Sequence, residues 1–152
     1  SWPRRWPSLI RSTARTCTTR PRRTPVLPAL LARLKAAGVR MAVFSNKADE
    51  FARAVVARYF DADLFEVVRG ALPDVPTKPA PEGTRALMAH LGVEADGSVL
   101  YVGDSNVDVE TAHNAACPAA GLVGFRTREE LTEAGAEYLA EDTQGLEKVV
   151  LG

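Results

Sequence analysis

From Val26 onward the chain alternates short apolar runs with amphipathic segments, and this alternation constrains the fold more than any other feature. The apolar runs are continuous, which indicates strands that are buried on both faces. The segments between them repeat apolar residues at helical spacing, as in Leu27, Leu30, Leu31 and Leu34. Strands joined by helical crossovers form a mostly parallel sheet with right-handed connections. The pattern therefore predicts an α/β fold: an open, Rossmann-like, mostly parallel sheet with helices on both faces.

The limits of the predicted elements come from where each pattern begins and ends. A glycine at position 38 is placed to end the first helix, and a proline in its first turn begins the third. We predict helices over 26–38, 49–59, 81–91, 107–116, 128–134 and 146–150, and strands over 39–44, 65–68, 98–102, 119–123 and 138–139.

The first 25 residues differ from the rest in composition. They hold four prolines and seven arginines, and no acidic residue occurs before Asp49. Because neither helical nor strand periodicity is sustained there, we predict that residues 1–25 are disordered and that residues 26–152 form the domain. Three origins of this segment stay open: a transit peptide, native sequence, or out-of-frame translation.

Composition limits the classes of function. Formal positive and negative charges balance, so no overall attraction to nucleic acid or to a membrane surface is expected. Cys17 and Cys117 are too few for a disulfide framework or a zinc site, and no apolar run is long enough to span a bilayer. We expect a cytosolic, reduced protein that binds neither nucleic acid nor membrane.

Three polar runs stand where predicted strands give way to a loop or a helix. Ligands of open α/β sheets bind beyond the carboxyl ends of the strands. A hydroxyl, a lysine and a carboxylate pair at that edge would supply anion donors, positive charge and a Mg²⁺ site for phosphoryl chemistry. The runs are Phe44-Ser45-Asn46-Lys47, Thr77-Lys78-Pro79 and Gly103-Asp104-Ser105-Asn106-Val107-Asp108.

Each of these residues has an ordinary structural explanation when it is taken alone. Ser45 and Asn46 could form a turn, and Lys78 could be a solvated surface lysine. Asp104 could cap a helix while Asp108 faces solvent. Their occurrence together favours the alternative, in which Ser45, Asn46 and Lys78 bind phosphate and both aspartates bind Mg²⁺.

At these runs the chain resembles the haloacid dehalogenase superfamily of Mg²⁺-dependent phosphatases, and within it the phosphoglycolate phosphatase-like group. The resemblance covers about residues 26–152. It is carried by Val43-Phe44-Ser45-Asn46-Lys47, Thr77-Lys78-Pro79, Tyr101-Val102-Gly103-Asp104-Ser105-Asn106-Val107-Asp108, and Gly124-Phe125-Arg126 followed by Ala134-Gly135-Ala136.

The resemblance implies hydrolysis of a small phosphorylated metabolite in two steps, through an aspartyl-phosphate. It implies that Ser45 and Asn46 hold the phosphoryl oxygens and that Lys78 stabilises the nucleophile and the phosphate charge. Ser45 and Lys78 would then be the catalytic residues. Asp104 would bind Mg²⁺, and Asp108 would either coordinate the ion or orient its waters and Lys78.

The sequence departs from the family at its start. The family begins with a strand carrying Asp-x-Asp-Gly-Thr, whose first Asp is the nucleophile, followed by an inserted helical cap. No acidic residue precedes Ser45, and Ala116 stands where relatives usually have glycine. The sheet should then lack its middle strand, between the strands ending at Ser45 and Asp104. Two open strand edges predict self-association or marginal stability.

Three functional hypotheses stay open. The first is a phosphatase that lost its nucleophile by truncation or frameshift, so that this chain alone is inactive. If the codons for Arg15 to Val26 are read in a shifted frame, they permit an amino-acid sequence that resembles the family's segment between the cap and the core domain. The second is a non-catalytic phosphate- or Mg²⁺-binding remnant that acts through a partner. The third, a receiver-like signalling domain, fits less well because its carboxylates come first and its lysine last.

Overall fold

Every strand of the sheet is parallel to its neighbours, as continuous apolar strands joined by helices require. The computed structural model describes residues 8–12 and 26–152. Its elements, in chain order, are β1 (Ser8–Ser12), α1 (Val26–Ala36), β2 (Arg40–Ala48), α2 (Asp49–Tyr59), β3 (Val67–Ala71), α3 (Glu82–Leu91), β4 (Val99–Gly103), α4 (Asn106–Asn114), β5 (Ala119–Leu122), α5 (Arg128–Glu133), β6 (Tyr138–Ala140) and α6 (Thr143–Leu151). The fold class and the order of elements from residue 26 are as predicted, while β2 runs further, to Ala48, and α6 begins earlier, at Thr143.

The strand order is β3-β2-β1-β4-β5-β6, and a separate apolar core covers each face of the sheet. Successive residues of a strand point to opposite faces, so β2 contributes to both cores. Met41 and Val43 pack with α1, α2 and α6 on one face. Ala42 and Phe44 pack with α3, α4 and α5 on the other. Burial on both faces explains why the strands read as continuous apolar runs.

The position predicted to be empty, between β2 and β4, is occupied by β1. Residues of β1 pair with β2 from Ser8↔Arg40 to Ser12↔Phe44, and with β4 from Ser8↔Val99 to Arg11↔Val102. Ile10 is fully buried in the core shared with α3, α4 and α5. The predicted disorder is therefore wrong for residues 8–12, and the strand edges that suggested self-association are both paired.

A physical reason for this difference lies in the spacing of the prolines. None of the four prolines of the first 25 residues falls within Ser8–Ser12, so every residue of β1 keeps the N–H that a sheet ladder needs. Two neighbouring strands also offer this short segment a full set of ladder partners. The rest of the predicted disordered segment, 1–7 and 13–25, lies outside the described residues, and the domain limit near residue 26 stays a prediction.

The turn after α4 has a backbone conformation that favours glycine. Ala116 has a φ of 60°, the left-handed conformation that glycine adopts without cost and alanine does not.

In the parts of the chain that the structure describes, no helix is long and apolar enough to cross a membrane.

Candidate functional site

The three polar runs meet at the carboxyl edge of the sheet through a continuous series of hydrogen bonds. Asn46 Oδ1 accepts from the backbone N–H of Lys78 at 2.9 Å. Lys78 Nζ donates to Asp108 Oδ1 at 2.9 Å. Asp108 Oδ2 accepts from the backbone N–H of Asp104 at 3.0 Å. Residues far apart in the sequence are thus linked from the end of β2, through the loop before α3, to the start of α4.

Lys78 and Asp108 form a buried ion pair. Each side chain is only 1% exposed. Burial of a charge is costly unless a partner of opposite charge faces it, so the two residues depend on each other. The Phe44 ring lies beneath the ammonium, with Lys78 Nζ 5.9 Å from the ring centroid. Gly83 makes room for that ring, because a Cβ there would come within 2.3 Å of it.

Asp108 uses both carboxylate oxygens within the protein. While Oδ1 pairs with Lys78, Oδ2 also accepts from the backbone N–H and the hydroxyl of Ser105, each at 3.2 Å. Gly103 permits this arrangement, because a Cβ at that position would lie 2.2 Å from the Cβ of Asp108. Asp108 thus contacts Lys78 directly, and its part in binding Mg²⁺ stays a prediction.

Ser45 lies at the end of the regular part of β2 and is fully buried. Its Oγ accepts from the backbone N–H of Lys47 at 3.1 Å. A hydroxyl accepts and donates at once, so the Ser45 hydrogen can still be directed at an anion. The register between β2 and β3 shifts between Phe44 and Ala48, and this irregularity is where the polar run leaves the ladder.

Asp49 fixes the far side of that irregularity. Its Oδ1 accepts from the backbone N–H of Gly70 at 2.8 Å, and its Oδ2 accepts from Arg53 Nε at 2.7 Å. Gly70 must be glycine, because a Cβ would lie 2.5 Å from the Lys47 carbonyl oxygen. Burial favours the neutral form of Asp49, but the Gly70 and Arg53 contacts outweigh it and lower the pKa below its usual value.

Asp104, the other aspartate of the predicted metal pair, is the half-buried residue that follows β4. Within the described ranges no group of three or more histidine, cysteine or acidic side chains is arranged to hold a metal ion. Mg²⁺ commonly binds proteins through one or two carboxylates, with water and substrate phosphate as its other ligands. A site with two carboxylates and the predicted phosphate-binding residues at one sheet edge is compatible with that chemistry.

A comparison with protein families decides which family this site belongs to. Residues 19–116 match the family model for haloacid dehalogenase-like hydrolases, and that stretch contains all three polar runs. The chain belongs to the haloacid dehalogenase-like hydrolases.

Individual relatives of this haloacid dehalogenase-like chain agree with that assignment. It is 39% identical to the phosphoglycolate phosphatase of Rhodospirillum rubrum over 118 residues, which is 78% of this chain and 48% of the relative. A crystal structure from Lactobacillus delbrueckii subsp. bulgaricus, assigned as a phosphoglycolate phosphatase, has 32% identity and a TM-score of 0.78, covering 84% of this chain and 53% of that one. CbbY of Rhodobacter sphaeroides, in complex with xylulose-(1,5)bisphosphate, has 26% identity and a TM-score of 0.66, covering 78% and 53%. The chain thus spans about half the length of these relatives.

Some contacts of this haloacid dehalogenase-like site are not predicted by the sequence, and the first is made by the Asn46 side chain. The Asn46 side chain contacts the main chain of Lys78, and the phosphate contact of Asn46 stays a prediction. Two further contacts were not anticipated: Asp49 with Gly70, and Asn114 Nδ2 donating to the Pro79 carbonyl at 2.9 Å. Short polar residues at element ends are the only sequence signal for such contacts, and they occur in most turns.

Proposed function

We propose that this chain carries the phosphate- and Mg²⁺-binding part of a phosphomonoester hydrolase site of the phosphoglycolate phosphatase type. The observation that supports this most directly is the buried Lys78–Asp108 pair at the carboxyl edge of the sheet, beside Ser45 and Asp104. An ammonium held in place by a buried carboxylate is ready to meet the charge of a transferring phosphoryl group.

Each residue would have a distinct part in that reaction. The Ser45 hydroxyl and the backbone N–H of Asn46 would donate to phosphoryl oxygens, and Lys78 would neutralise their charge. Asp104 would hold Mg²⁺, which when bound supplies further positive charge to the phosphoryl oxygens. Asp108 would keep the Lys78 ammonium and the Asp104 backbone in place.

The missing part is the nucleophile. The family resemblance puts the nucleophilic aspartate in the strand between β2 and β4, and in this chain that strand is β1, which ends at Ser12. Since no acidic residue occurs before Asp49, no aspartyl-phosphate can form at this strand. We therefore infer that the chain binds phosphate and Mg²⁺ without turnover. The small phosphorylated metabolite and the cytosolic setting stay predictions.

Phosphate release and phosphate binding, measured on the same protein, test this proposal. Calorimetry with inorganic phosphate and Mg²⁺ should show binding that Asp104→Asn abolishes and that Asp74→Asn, a change at an exposed turn, leaves intact. Incubation with 2-phosphoglycolate or p-nitrophenyl phosphate should release no phosphate above the buffer rate. Turnover by this chain would disprove the missing nucleophile, and absence of any phosphate binding would disprove the proposed site.

A second candidate function is a non-catalytic phosphate-binding protein that acts through a partner. The lack of a nucleophilic aspartate favours this candidate as well, because β1 pairs with both β2 and β4 yet contains no carboxylate. A version with the upstream reading frame restored separates the two candidates. Activity gained by that version supports a phosphatase that lost its nucleophile, whereas inactivity of both supports the binding protein.

A further inference from the structure

Asn46 and Lys78 contact each other in an unexpected way. The Asn46 side chain faces the main chain of Lys78, not its ammonium. Oδ1 accepts from the Lys78 N–H at 2.9 Å, and Nδ2 lies 3.5 Å from the Lys78 carbonyl oxygen. The first contact is a good hydrogen bond and the second is a longer, weaker one. One side chain thus contacts both the N–H and the carbonyl of a single residue.

A second asparagine holds the same loop from the opposite side. Asn114, the last residue of α4, donates from Nδ2 to the Pro79 carbonyl at 2.9 Å. The Asn114 carbonyl in turn accepts from Arg85 of α3 at 3.0 Å. The loop that carries Lys78 is therefore tied by its backbone to β2 on one side and to α4 on the other.

Backbone placement matters here because a lysine side chain is long and flexible. Four rotatable bonds separate the Cα of Lys78 from its ammonium. A single contact at the ammonium therefore does not fix the position of the Cα. Asp108 fixes the Nζ end at 2.9 Å. With the Cα end also fixed, the whole side chain is confined to one path past the Phe44 ring.

We propose that Asn46 is a positioning residue for Lys78: its side chain fixes the Lys78 backbone, so that the ammonium stays between Asp108 and the anion site. This inference rests on the proposed function for its purpose, but its geometric part can be tested without phosphate. It assigns to the Asn46 side chain a different role from the phosphate contact that the sequence suggested.

The test follows the Lys78 ammonium directly by NMR of ¹⁵N-labelled protein. Hydrogens of a buried, ion-paired ammonium exchange slowly with water, so Lys78 should give an Nζ–H signal that Lys78→Met removes. We expect Asn46→Ala to shift or broaden this signal before phosphate is added. Inorganic phosphate should then bind about fivefold to tenfold more weakly, the loss expected for about one hydrogen bond. Gln144→Ala, at an exposed amide side chain outside the three polar runs, should change neither.

The outcomes separate this role from the others. If Asn46→Ala weakens phosphate binding while the Lys78 signal is unchanged, Asn46 is a phosphate ligand and the proposal is wrong. Asn46→Asp keeps an oxygen that can accept from the Lys78 N–H, so it should retain the signal even if the alanine variant does not fold. Loss of the signal in a folded Asn46→Asp protein would also overturn the proposal. A wild-type chain that binds no phosphate would refute the proposed function, while the NMR comparison would still decide the positioning role.

Discussion

Two ion pairs of this chain have the same chemistry in different surroundings. Lys78 Nζ lies 2.9 Å from Asp108 Oδ1, and both side chains are 1% exposed. Arg40 Nε lies closer to its partner, 2.7 Å from Glu66 Oε2, but those side chains are 42% and 46% exposed. Water and salt screen the exposed charges and would solvate either one alone. Burial, rather than contact distance, should decide how much each pair matters.

The difference also bears on why the buried pair exists. A buried ion pair seldom stabilises a protein more than apolar residues of similar size would, because removing two charges from water is costly. The Lys78–Asp108 pair is therefore better explained by its place beside Ser45 and Asp104 than by stability. Predictions that compare buried with exposed groups test this explanation.

The largest effect is expected from Asp108→Ala. The change removes the carboxylate that faces the Lys78 ammonium and also the acceptor for the N–H groups of Asp104 and Ser105. We expect a loss of about 3–5 kcal/mol in the free energy of unfolding, measured by urea denaturation. Glu110→Ala, at an exposed position of the same helix, is the matched control. A loss below about 1 kcal/mol would mean that burial does not set the importance of this pair.

Ile10→Ala gives an apolar reference for the same comparison. Ile10 is fully buried on β1, whose strand neighbours β2 and β4 flank the site. Removing its buried methyl and methylene groups should cost about 2–5 kcal/mol in the free energy of unfolding. Val26→Ala, at a side chain that is 44% exposed, should cost much less. Equal stability of the Ile10 variant and the wild type would show that β1 does not contribute to the core.

Lys78→Met should cost less than Asp108→Ala, although it breaks the same pair. The Asp108 carboxylate would still accept from two backbone N–H groups and the Ser105 hydroxyl, and an apolar chain suits the Phe44 ring. We expect a loss of about 1–3 kcal/mol together with loss of phosphate binding. If the lysine variant were the less stable of the two, the asymmetry argued from the Asp108 contacts would be wrong.

The sequence predicts those parts of the structure that are determined by a short stretch of neighbouring residues. The helices and strands from Val26 onward each carry a periodic pattern and a stop signal such as Gly38, so a short window identifies them. Residues 45 and 104 lie at one edge because β2 and β4 are parallel to the strand between them, and hydrogen bonds link residues 78, 108 and 104. In contrast, β1 is five residues without a pattern, and it becomes a strand because β2 and β4 flank it. The direction of the Asn46 side chain depends on the path of the loop after β3, which no local pattern specifies.

Asp49 is intermediate between the two ion pairs, with a side chain that is 19% exposed. Burial raises the pKa of Asp49, but the Gly70 and Arg53 contacts together lower it by more. The pKa in the folded state therefore lies below that in the unfolded state. The ionised Asp49 therefore adds to the free energy of unfolding at a pH above its unfolded-state pKa, and this stabilisation is lost as the pH falls through its folded-state pKa. Asp49→Asn should cost about 1 kcal/mol at neutral pH, and the gap from wild type should narrow below about pH 4. Unfolding measured across that range checks this, and a gap that stays constant would contradict the sign.

The smallest effect is expected at the Arg40–Glu66 pair. The Arg40 hydrogen bond lowers the pKa of Glu66 despite the opposing effect of burial, so the two residues do interact. Because both are well exposed, the coupling from a double-mutant cycle with Arg40→Ala and Glu66→Ala should be at most about 1 kcal/mol. High salt should reduce it further, since screening acts on charges that water reaches. A coupling as large as the Asp108→Ala effect and insensitive to salt would mean that contact distance, not burial, ranks the ion pairs of this chain, and the functional explanation of the Lys78–Asp108 pair would lose its basis.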